Sequence, residues 1–275
     1  GSGIQFNNVV WLSPVIVESD SKTVHITLNP REDRSIAFEV HSPETEGNRQ
    51  VFCQGTVSYT EVTSQEIDLA GFKVMCDQDV WNAQNCYDIF SSIGIKYGTA
   101  LQSIDALYIG CEQVMAKLKL PSELADSLDE YTLHPSILDG VLQSTLGLMI
   151  EQGTQDPGKT ILPFALNHIL ILDQFTENMW ALIRRSEGNT KDDPVQKIDI
   201  ELCNEQGRIC AQLRGFSGRV ISTELQSKPL VVQRELTPQA IPDGALLVHP
   251  LWGERPISTG NTLPTEQTEN EQQVE

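Results

Sequence analysis

The spacing of apolar residues over the first sixty positions predicts an antiparallel β-sheet. Short runs rich in β-branched and aromatic residues recur about every ten positions, and Pro, Gly, Asn or Ser turns separate them. These runs occupy residues 9–12, 15–17, 24–28, 36–40 and 51–59. Four more runs of the same kind follow later in the chain, at residues 161–173, 179–185, 195–203 and 208–221.

Two segments between these strands have apolar residues at helical spacing. Residues 79–93 predict a helix that Asp79 caps and Gly94 ends. Residues 135–150 begin with Pro135, which suits a first helical turn, and carry apolar side chains around nearly the whole cylinder, so we expect this helix to be buried. A hairpin at 101–109 and 112–120 lies between the two helices. This order is typical of an α+β fold in which a twisted antiparallel sheet wraps around one buried helix.

Composition excludes several classes of function. The 275 residues contain 19 Lys and Arg against 38 Asp and Glu, a formal net charge of −19, which is unsuited to binding nucleic acid or an anionic membrane. No apolar stretch approaches the roughly 20 residues that a membrane span needs. The six cysteines are scattered without metal-ligand spacing, so we expect reduced thiols in the cytoplasm and no metal site.

An aspartate inside the buried helix is the main candidate for chemistry. Asp139 interrupts the apolar pattern, and Gln143 lies one turn further along the same helix face. Burial raises the pKa of a carboxyl group, which then keeps its proton near neutral pH and can act as a general acid. Gln143 is placed to hold a hydroxyl group or a water molecule beside it. On this pattern alone a structural role, in which Asp139 bonds a neighbouring backbone group, is equally open.

Two further features lie near this helix in the sequence. His134 precedes Pro135 at the helix entrance, where it serves either as a base near the same pocket or as an ordinary turn residue. Residues 94–102 form a turn between glycines, in which Tyr97 and Gly98 either meet a ligand closely or make a plain β-turn. His25 and His41 fall in strand or strand-end positions and are expected to be at the surface or satisfied. His168 and His249 have no acid or cysteine partner at a recognisable spacing.

Two motifs resemble those of one enzyme family. Residues 134–143 read HPSILDGVLQ and resemble the HPxxLDxxLQ motif of polyketide synthase dehydratase domains. Residues 97–102 read YGTALQ and resemble that family's YGPxxQ turn at its usual distance upstream. The resemblance covers about residues 4–222 and is closest to bacterial synthases fed by a separate acyltransferase, the trans-acyltransferase systems.

The resemblance implies a double hot-dog fold, two sheet-wrapped helices side by side. The implied reaction removes water from a β-hydroxyacyl thioester, carried by phosphopantetheine on an acyl carrier protein, and gives an enoyl thioester without any cofactor. In the family a histidine removes the α-proton, and by resemblance Asp139 here protonates the departing hydroxyl group with the help of Gln143. The acyl channel is expected to be lined by Tyr97, Gly98, Gln102, His134 and Pro135. Implied partners are the carrier protein, neighbouring ketosynthase or ketoreductase domains of the same synthase, and a second copy in a homodimer.

The resemblance also implies an organisation along the chain. Residues 1–3 are expected to be a cloning remnant, 4–120 an incomplete first hot-dog with a linking helix and hairpin, and 121–222 the second hot-dog with the Asp139 helix. Residues 223–258 are expected to link toward a next module domain, and residues 259–275 to form a disordered acidic tail.

Two departures from the family pattern leave alternatives open. Thr99 stands where the family has a proline, and the family's histidine motif, HxxxGxxxxP, does not occur in this sequence. In the family this histidine lies on the first hot-dog helix, so we expect that helix to be missing from this chain. Without the base, the rate of the reaction would fall roughly 10²–10⁴-fold. The alternative function is a catalytically incomplete dehydratase-like domain that positions a carrier-bound intermediate for a chain-branching ketosynthase or acts as a structural spacer. A stand-alone hot-dog thioesterase or fatty-acid-binding protein is a further alternative.

Overall fold

Strands account for the largest share of the chain that the structure describes. The computed structural model describes residues 2–17, 21–44, 48–148, 161–190, 193 and 195–220. The first four strands are β1 (Ser2–Trp11), β2 (His25–Pro30), β3 (Ile36–His41) and β4 (Val51–Glu61). The other seven are β5 (Asp79–Asn82), β6 (Ile104–Gly110), β7 (Gln113–Lys119), β8 (Ile161–Ile171), β9 (Asn178–Arg185), β10 (Gln196–Asn204) and β11 (Ile209–Val220). The predicted linker, the predicted acidic tail, His249 and the last two residues of the second predicted helix lie outside the described residues.

These strands form one continuous antiparallel sheet. Their order across the sheet is β2-β3-β4-β1-β8-β11-β10-β9-β7-β6-β5. The first four strands make one end of the sheet, and β1 joins them to the rest because it pairs with β4 on one side and β8 on the other. The α+β class predicted from the strand and helix patterns therefore describes the chain.

The N-terminal strands agree with the sequence pattern except at two places. β1 starts at Ser2 instead of residue 9, since Ser2 and Gly3 pair with Glu61 and Thr60 across the sheet. The start of β1 is polar and contains glycine, so it has no run of apolar residues that would predict a strand. It is a strand because its backbone pairs with β4 and, from Ile4 onward, also with β8. Residues 15–17 were predicted as a strand, but they follow Pro14 and pair with no strand among the described residues.

The hairpin of β6 and β7 pairs with a strand from the second half of the chain. The sequence grouped it with the first hot-dog, ahead of a boundary at residue 120. In the structure β7 pairs with β9, from Gln113 opposite Arg184 to Lys119 opposite Asn178. The hairpin therefore belongs to the end of the sheet that packs on the buried helix. These residues are 59 to 71 positions apart in the sequence. Local patterns do not encode antiparallel pairing over such a separation.

The helices differ from the predictions at their ends. A short helix α1 (Leu69–Met75) was not predicted. The predicted helix at 79–93 is shorter than expected, because its first residues form β5 and α2 spans Ala83–Ser92. Asn82 caps α2 in a reciprocal capping box with Asn85. The prediction of Asp79 as the cap is wrong, since its carboxylate instead accepts a hydrogen bond from the indole Nε1 of Trp81 at 2.7 Å.

The second predicted helix, α3 (Pro135–Ser144), packs against the sheet. It contacts β6, β7 and β9, and a 3₁₀ turn, Thr145–Leu148, continues it. Ile137 and Val141 are fully buried, whereas Leu138 and Leu142 are half-buried, so burial is less complete around the helix than the sequence predicted. No helix among the described residues is long and apolar enough to cross a membrane.

Candidate functional site

The predicted acid and its neighbour lie together on α3. Gln143 is 4% exposed and donates a hydrogen bond from Nε2 to Oδ2 of Asp139 at 2.6 Å. The same nitrogen donates to the backbone carbonyl of Leu101 at 2.9 Å. Two residues one helical turn apart and a third from the segment before β6 thus form one hydrogen-bonded unit.

The Leu101 carbonyl fixes which way the Gln143 amide points. A carbonyl oxygen only accepts hydrogen bonds, so the Gln143 atom beside it has to be the nitrogen. The amide nitrogen carries two hydrogens, and Leu101 and Asp139 take both of them. Gln143 therefore has no N–H left for a substrate hydroxyl group, and only its Oε1 can accept a hydrogen bond from one. Its Oε1 is buried and has no hydrogen-bond partner among the described residues.

The environment of Asp139 favours the protonated acid. Burial raises the pKa of this carboxyl group, and the hydrogen bond from Gln143 partly offsets that rise. Because Oδ2 accepts the Gln143 N–H, the proton of the neutral acid belongs on Oδ1. Oδ1 is therefore the atom that can donate a proton, as a general acid must.

Two tyrosines lie close enough to feel the charge of Asp139. Burial raises the pKa of Tyr97 to about 12, and the Asp139 charge adds to that rise. Burial likewise raises the pKa of Tyr87 on α2 well above its ordinary value, with a smaller contribution from Asp139. Both phenols keep their protons near neutral pH and can donate hydrogen bonds. Tyr87 was missed by the sequence reasoning, although its place beside Cys86 on the inner face of α2 was a usable signal.

Aromatic contacts hold the Tyr97 turn against α2. The ring of Tyr97 lies 5.0 Å from that of Phe90 and 6.1 Å from that of Tyr87, both in edge-on arrangements. The Tyr87 hydroxyl also accepts the backbone N–H of Ile104 at 3.1 Å, which ties α2 to the start of β6. The turn is thus fixed from two sides beside Asp139.

The other residues predicted for the channel have separate positions in this turn. Gln102 donates from Nε2 to the carbonyl of Tyr97 at 2.8 Å, so its side chain braces the turn. Gly98 has an ordinary backbone φ of −68°, and a Cβ built on it meets no described atom within 4 Å. The local backbone therefore does not require glycine here, and the space beside Gly98 is open to a ligand.

His134 and Pro135 form the beginning of α3. His134 is 2% exposed, and its Nδ1 accepts the backbone N–H of Ser136 at 3.2 Å while Nε2 lies 3.1 Å from the hydroxyl of Ser127. Burial lowers the pKa of this imidazole, in keeping with a neutral ring that caps the helix. Both ring nitrogens have protein partners, so the structure favours the turn-residue interpretation of His134 over the base. Pro135 is the first residue of the helix, as predicted.

The remaining candidates do not join this site. His41 is buried and bonded to the Ser42 carbonyl and the Thr27 hydroxyl, and His168 pairs with Arg214 across the sheet. Within the described part of the chain, no group of three or more His, Cys, Asp or Glu side chains is placed to hold a metal ion. All six cysteines are unpaired, as the sequence predicted.

Comparison with known families and proteins points to one group. Residues 73–228 match the family model described as the polyketide synthase dehydratase N-terminal domain. Polyketide synthase PksN of Bacillus subtilis (strain 168) is 33% identical over 269 residues, which is 97% of this chain and 5% of that protein. Polyketide synthase PksL of the same organism is 33% identical over 258 residues, 92% of this chain and 5% of that protein. The chain thus spans about one twentieth of the length of these relatives.

Solved structures of dehydratase domains share the fold. A dehydratase domain of a trans-AT polyketide synthase from Brevibacillus brevis is 38% identical with a TM-score of 0.74, covering 80% of this chain and 77% of that chain. The dehydratase domain of the CurK module of the curacin polyketide synthase is 27% identical with a TM-score of 0.70, covering 83% and 78%. An Asp-to-Asn mutant and a His-to-Phe mutant of that domain are both inactive. The likeness confirms the predicted α+β hot-dog fold.

Proposed function

The chain belongs to the polyketide synthase dehydratase family, and on that basis we propose that it removes water from a β-hydroxyacyl thioester to give an enoyl thioester. The observation that carries the proposal is the half-buried Asp139, whose carboxyl group is held by Gln143 so that Oδ1 can carry a proton. The inactive Asp-to-Asn mutant of the CurK dehydratase supports an aspartate in this role.

Asp139 acts on the departing hydroxyl group. A base takes the proton from the α-carbon, the electron pair of that C–H bond forms the Cα–Cβ double bond, and the Cβ–O bond breaks. Asp139 transfers the proton on Oδ1 to the leaving oxygen, which departs as water, and the resulting carboxylate accepts the hydrogen bond from Gln143. The Asp139 proton is restored from the protonated base or from solvent before the next turnover.

The described residues account for the acid half of the reaction. His41, His134 and His168 each have other neighbours or bonding partners in the structure. The inactive His-to-Phe mutant of the CurK dehydratase supports a histidine base in that relative. The experiment below tests whether the base lies within this chain or in residues that precede it.

Tyr97 and Gly98 are proposed to border the acyl chain. Tyr97 keeps its hydroxyl proton and stands beside Asp139, so it can hydrogen-bond the thioester or hydroxyl oxygen. Open space beside Gly98 provides room for the chain. The reaction as proposed needs no cofactor, because proton transfers alone complete it.

The proposed substrate is presented by an acyl carrier protein on a phosphopantetheine arm, within a cytoplasmic synthase that also holds ketosynthase or ketoreductase domains. The relatives are large polyketide synthases of which this chain matches a small part, which supports such neighbours. The chain has a net charge of −19, so it repels an acidic carrier protein overall. Docking of such a carrier therefore has to rely on local basic residues or a covalent tether. A homodimer is proposed by the same family likeness.

The test is a dehydration assay in two forms of the protein. The 275-residue chain, and the same chain with any residues that precede it in its native reading frame, are incubated with a β-hydroxyacyl carrier-protein thioester. Mass spectrometry follows the loss of water. We expect turnover in at least the longer form, and Asp139→Asn should reduce it by about 10²–10⁴-fold.

An exposed aspartate provides the matched control. Asp126→Asn changes the same functional group in the exposed 3₁₀ segment before α3 and should leave turnover unchanged. Turnover by the longer form alone would place the base in the preceding residues. Absence of turnover in both forms would refute the proposed function, and full turnover by Asp139→Asn would refute the role of Asp139.

A further inference from the structure

A serine that has no assigned role joins the Tyr97 turn to α3. Ser103 follows the turn directly and is 1% exposed. Its hydroxyl donates a hydrogen bond to the backbone carbonyl of Ser136, in the first turn of α3, at 2.8 Å. A buried hydroxyl with a satisfied donor is a specific contact, because breaking it leaves a polar group unpaired at a cost of about 1–3 kcal/mol.

Gly140 on α3 faces this serine at very close range. A Cβ built on Gly140 would overlap the Ser103 hydroxyl oxygen, far inside the 3.0 Å below which real Cβ contacts do not occur, and would lie 3.3 Å from Leu118. Gly140 is helical, so its backbone conformation does not demand glycine. The absence of a side chain is what lets α3 lie against Ser103 at this distance.

This contact is adjacent to the acid. Gly140 follows Asp139 in the helix, and the carbonyl of Leu101, two residues before Ser103, receives the Gln143 N–H. We propose that Ser103 is a positioning residue that sets the depth of α3 against the Tyr97 turn and so places Asp139 and Gln143 for the elimination. The inference rests on the proposed dehydration and adds a residue to it.

The size of the effect follows from the overlap. A methyl group at position 140 forces α3 and Ser103 apart by a distance on the order of 1 Å, and a displacement of that size at a reacting group typically costs about 10²-fold in rate. Rotation of the Ser103 hydroxyl out of the way instead breaks its bond to Ser136. Removing the hydroxyl and its Cβ together relieves the overlap.

Four proteins test the proposal: the parent, Gly140→Ala, Ser103→Gly and the double variant. We expect Gly140→Ala to lower kcat about 10²-fold with KM changed less than about threefold, because position and not binding is lost. Ser103→Gly alone should lower kcat by about tenfold, because no side chain then limits how closely α3 approaches the Tyr97 turn. The double variant should recover to within about threefold of the parent, because glycine at 103 makes room for the methyl group at 140.

A second glycine controls for general overpacking. A Cβ at Gly147, in the 3₁₀ turn after α3, would lie 2.7 Å from a methyl group of Val114. Gly147→Ala should lower the melting temperature but leave kcat within about twofold, because the strain falls two turns beyond Asp139. A double variant as slow as Gly140→Ala, with all proteins folded, would overturn the proposal, as would an equal loss of kcat in Gly147→Ala.

A measurement independent of turnover separates this inference from the proposed function. The carbon-13 shift of the Asp139 carboxyl group, assigned by its loss in Asp139→Asn, is followed against pH in the same four proteins. In Gly140→Ala the bond from Gln143 to the Leu101 carbonyl lengthens, so the amide is held less firmly toward Asp139. The pKa of Asp139 should then rise, and it should return to the parent value in the double variant. If the parent lacks turnover but this pattern holds, the dehydration proposal fails and the positioning stands. An identical titration in all four proteins would overturn the positioning role.

Discussion

Replacing Gln143 with leucine isolates the hydrogen bond that holds the acid. The substitution removes the donor to Asp139 and keeps a buried side chain of similar size on α3. A donated hydrogen bond stabilises the carboxylate and lowers its pKa, so losing the bond raises the pKa of Asp139 further. A general acid works in its protonated form, and the activity it supports falls as pH rises through its pKa. The alkaline limb of the kcat profile should therefore move to higher pH.

The expected change in stability is small because two effects oppose each other. The variant loses a bond to the neutral Asp139 carboxyl group and one to the Leu101 carbonyl, each worth about 0.5–1.5 kcal/mol. It also loses the buried Oε1 that has no partner among the described residues, which returns about 1–3 kcal/mol. The free energy of unfolding should fall by no more than about 2 kcal/mol. The folded protein is thus available for kinetics, where kcat on the plateau should fall about 10²-fold through loss of position.

The assay measures kcat from pH 6 to 10 for the parent, Gln143→Leu and a matched control. Gln84 on α2 donates to Asp88 one turn later at 2.7 Å, the same residue pair at the same spacing but exposed to solvent. Gln84→Leu should leave both the plateau and the limb unchanged. A limb that stays in place or moves to lower pH in Gln143→Leu would refute the assignment of Asp139 as the acid held by Gln143.

Two other predictions concern stability. The pKa of Asp139 is raised in the folded state, so between its unfolded value of about 4 and its raised folded value the native state binds more protons and stability falls as pH rises. Asp139→Asn should remove this loss, and its gain in melting temperature over the parent should be larger at pH 8 than at pH 4; an equal gain at both would contradict the buried acid. His134→Ala should lower the melting temperature by about 2–4 °C through loss of the α3 cap. His134→Asn keeps an acceptor for the Ser136 N–H and should lower it less, and equal losses would argue against capping.

The sequence predicted much of the site because its key pair is local. Asp139 and Gln143 are one helical turn apart, so their meeting depends only on α3 forming, and the apolar pattern of that helix is strong. The Tyr97 turn was predicted because its glycines are visible in the sequence. The sequence predicted His134 at the entrance of α3 and left open whether it is a base or a turn residue. The structure favours a helix cap, because the ring nitrogens contact Ser127 and Ser136.

The contacts that orient the site were out of reach of the sequence. Leu101 and Gln143 are 42 residues apart, and Ser103 and Ser136 are 33 apart, so no periodicity relates them. The orientation of the Gln143 amide depends on the backbone carbonyl of Leu101, which lies on another element. Every residue has a backbone carbonyl, so residue type does not predict this contact. Tyr87 had a sequence signal in its place beside Cys86, but its closeness to Asp139 depends on the tertiary structure.

By itself the sequence determined most of the strands, the helix at Pro135 and the chemical character of Asp139, because alternation, helical spacing and a carboxyl group among apolar residues are local properties. The tertiary structure decided which strands are neighbours, pairing β7 with β9 and extending β1 to Ser2. It also decided how deep α3 lies and where the Asp139 proton points. Those outcomes depend on packing between distant segments, where one methyl group at Gly140 or one carbonyl at Leu101 changes the geometry of the acid.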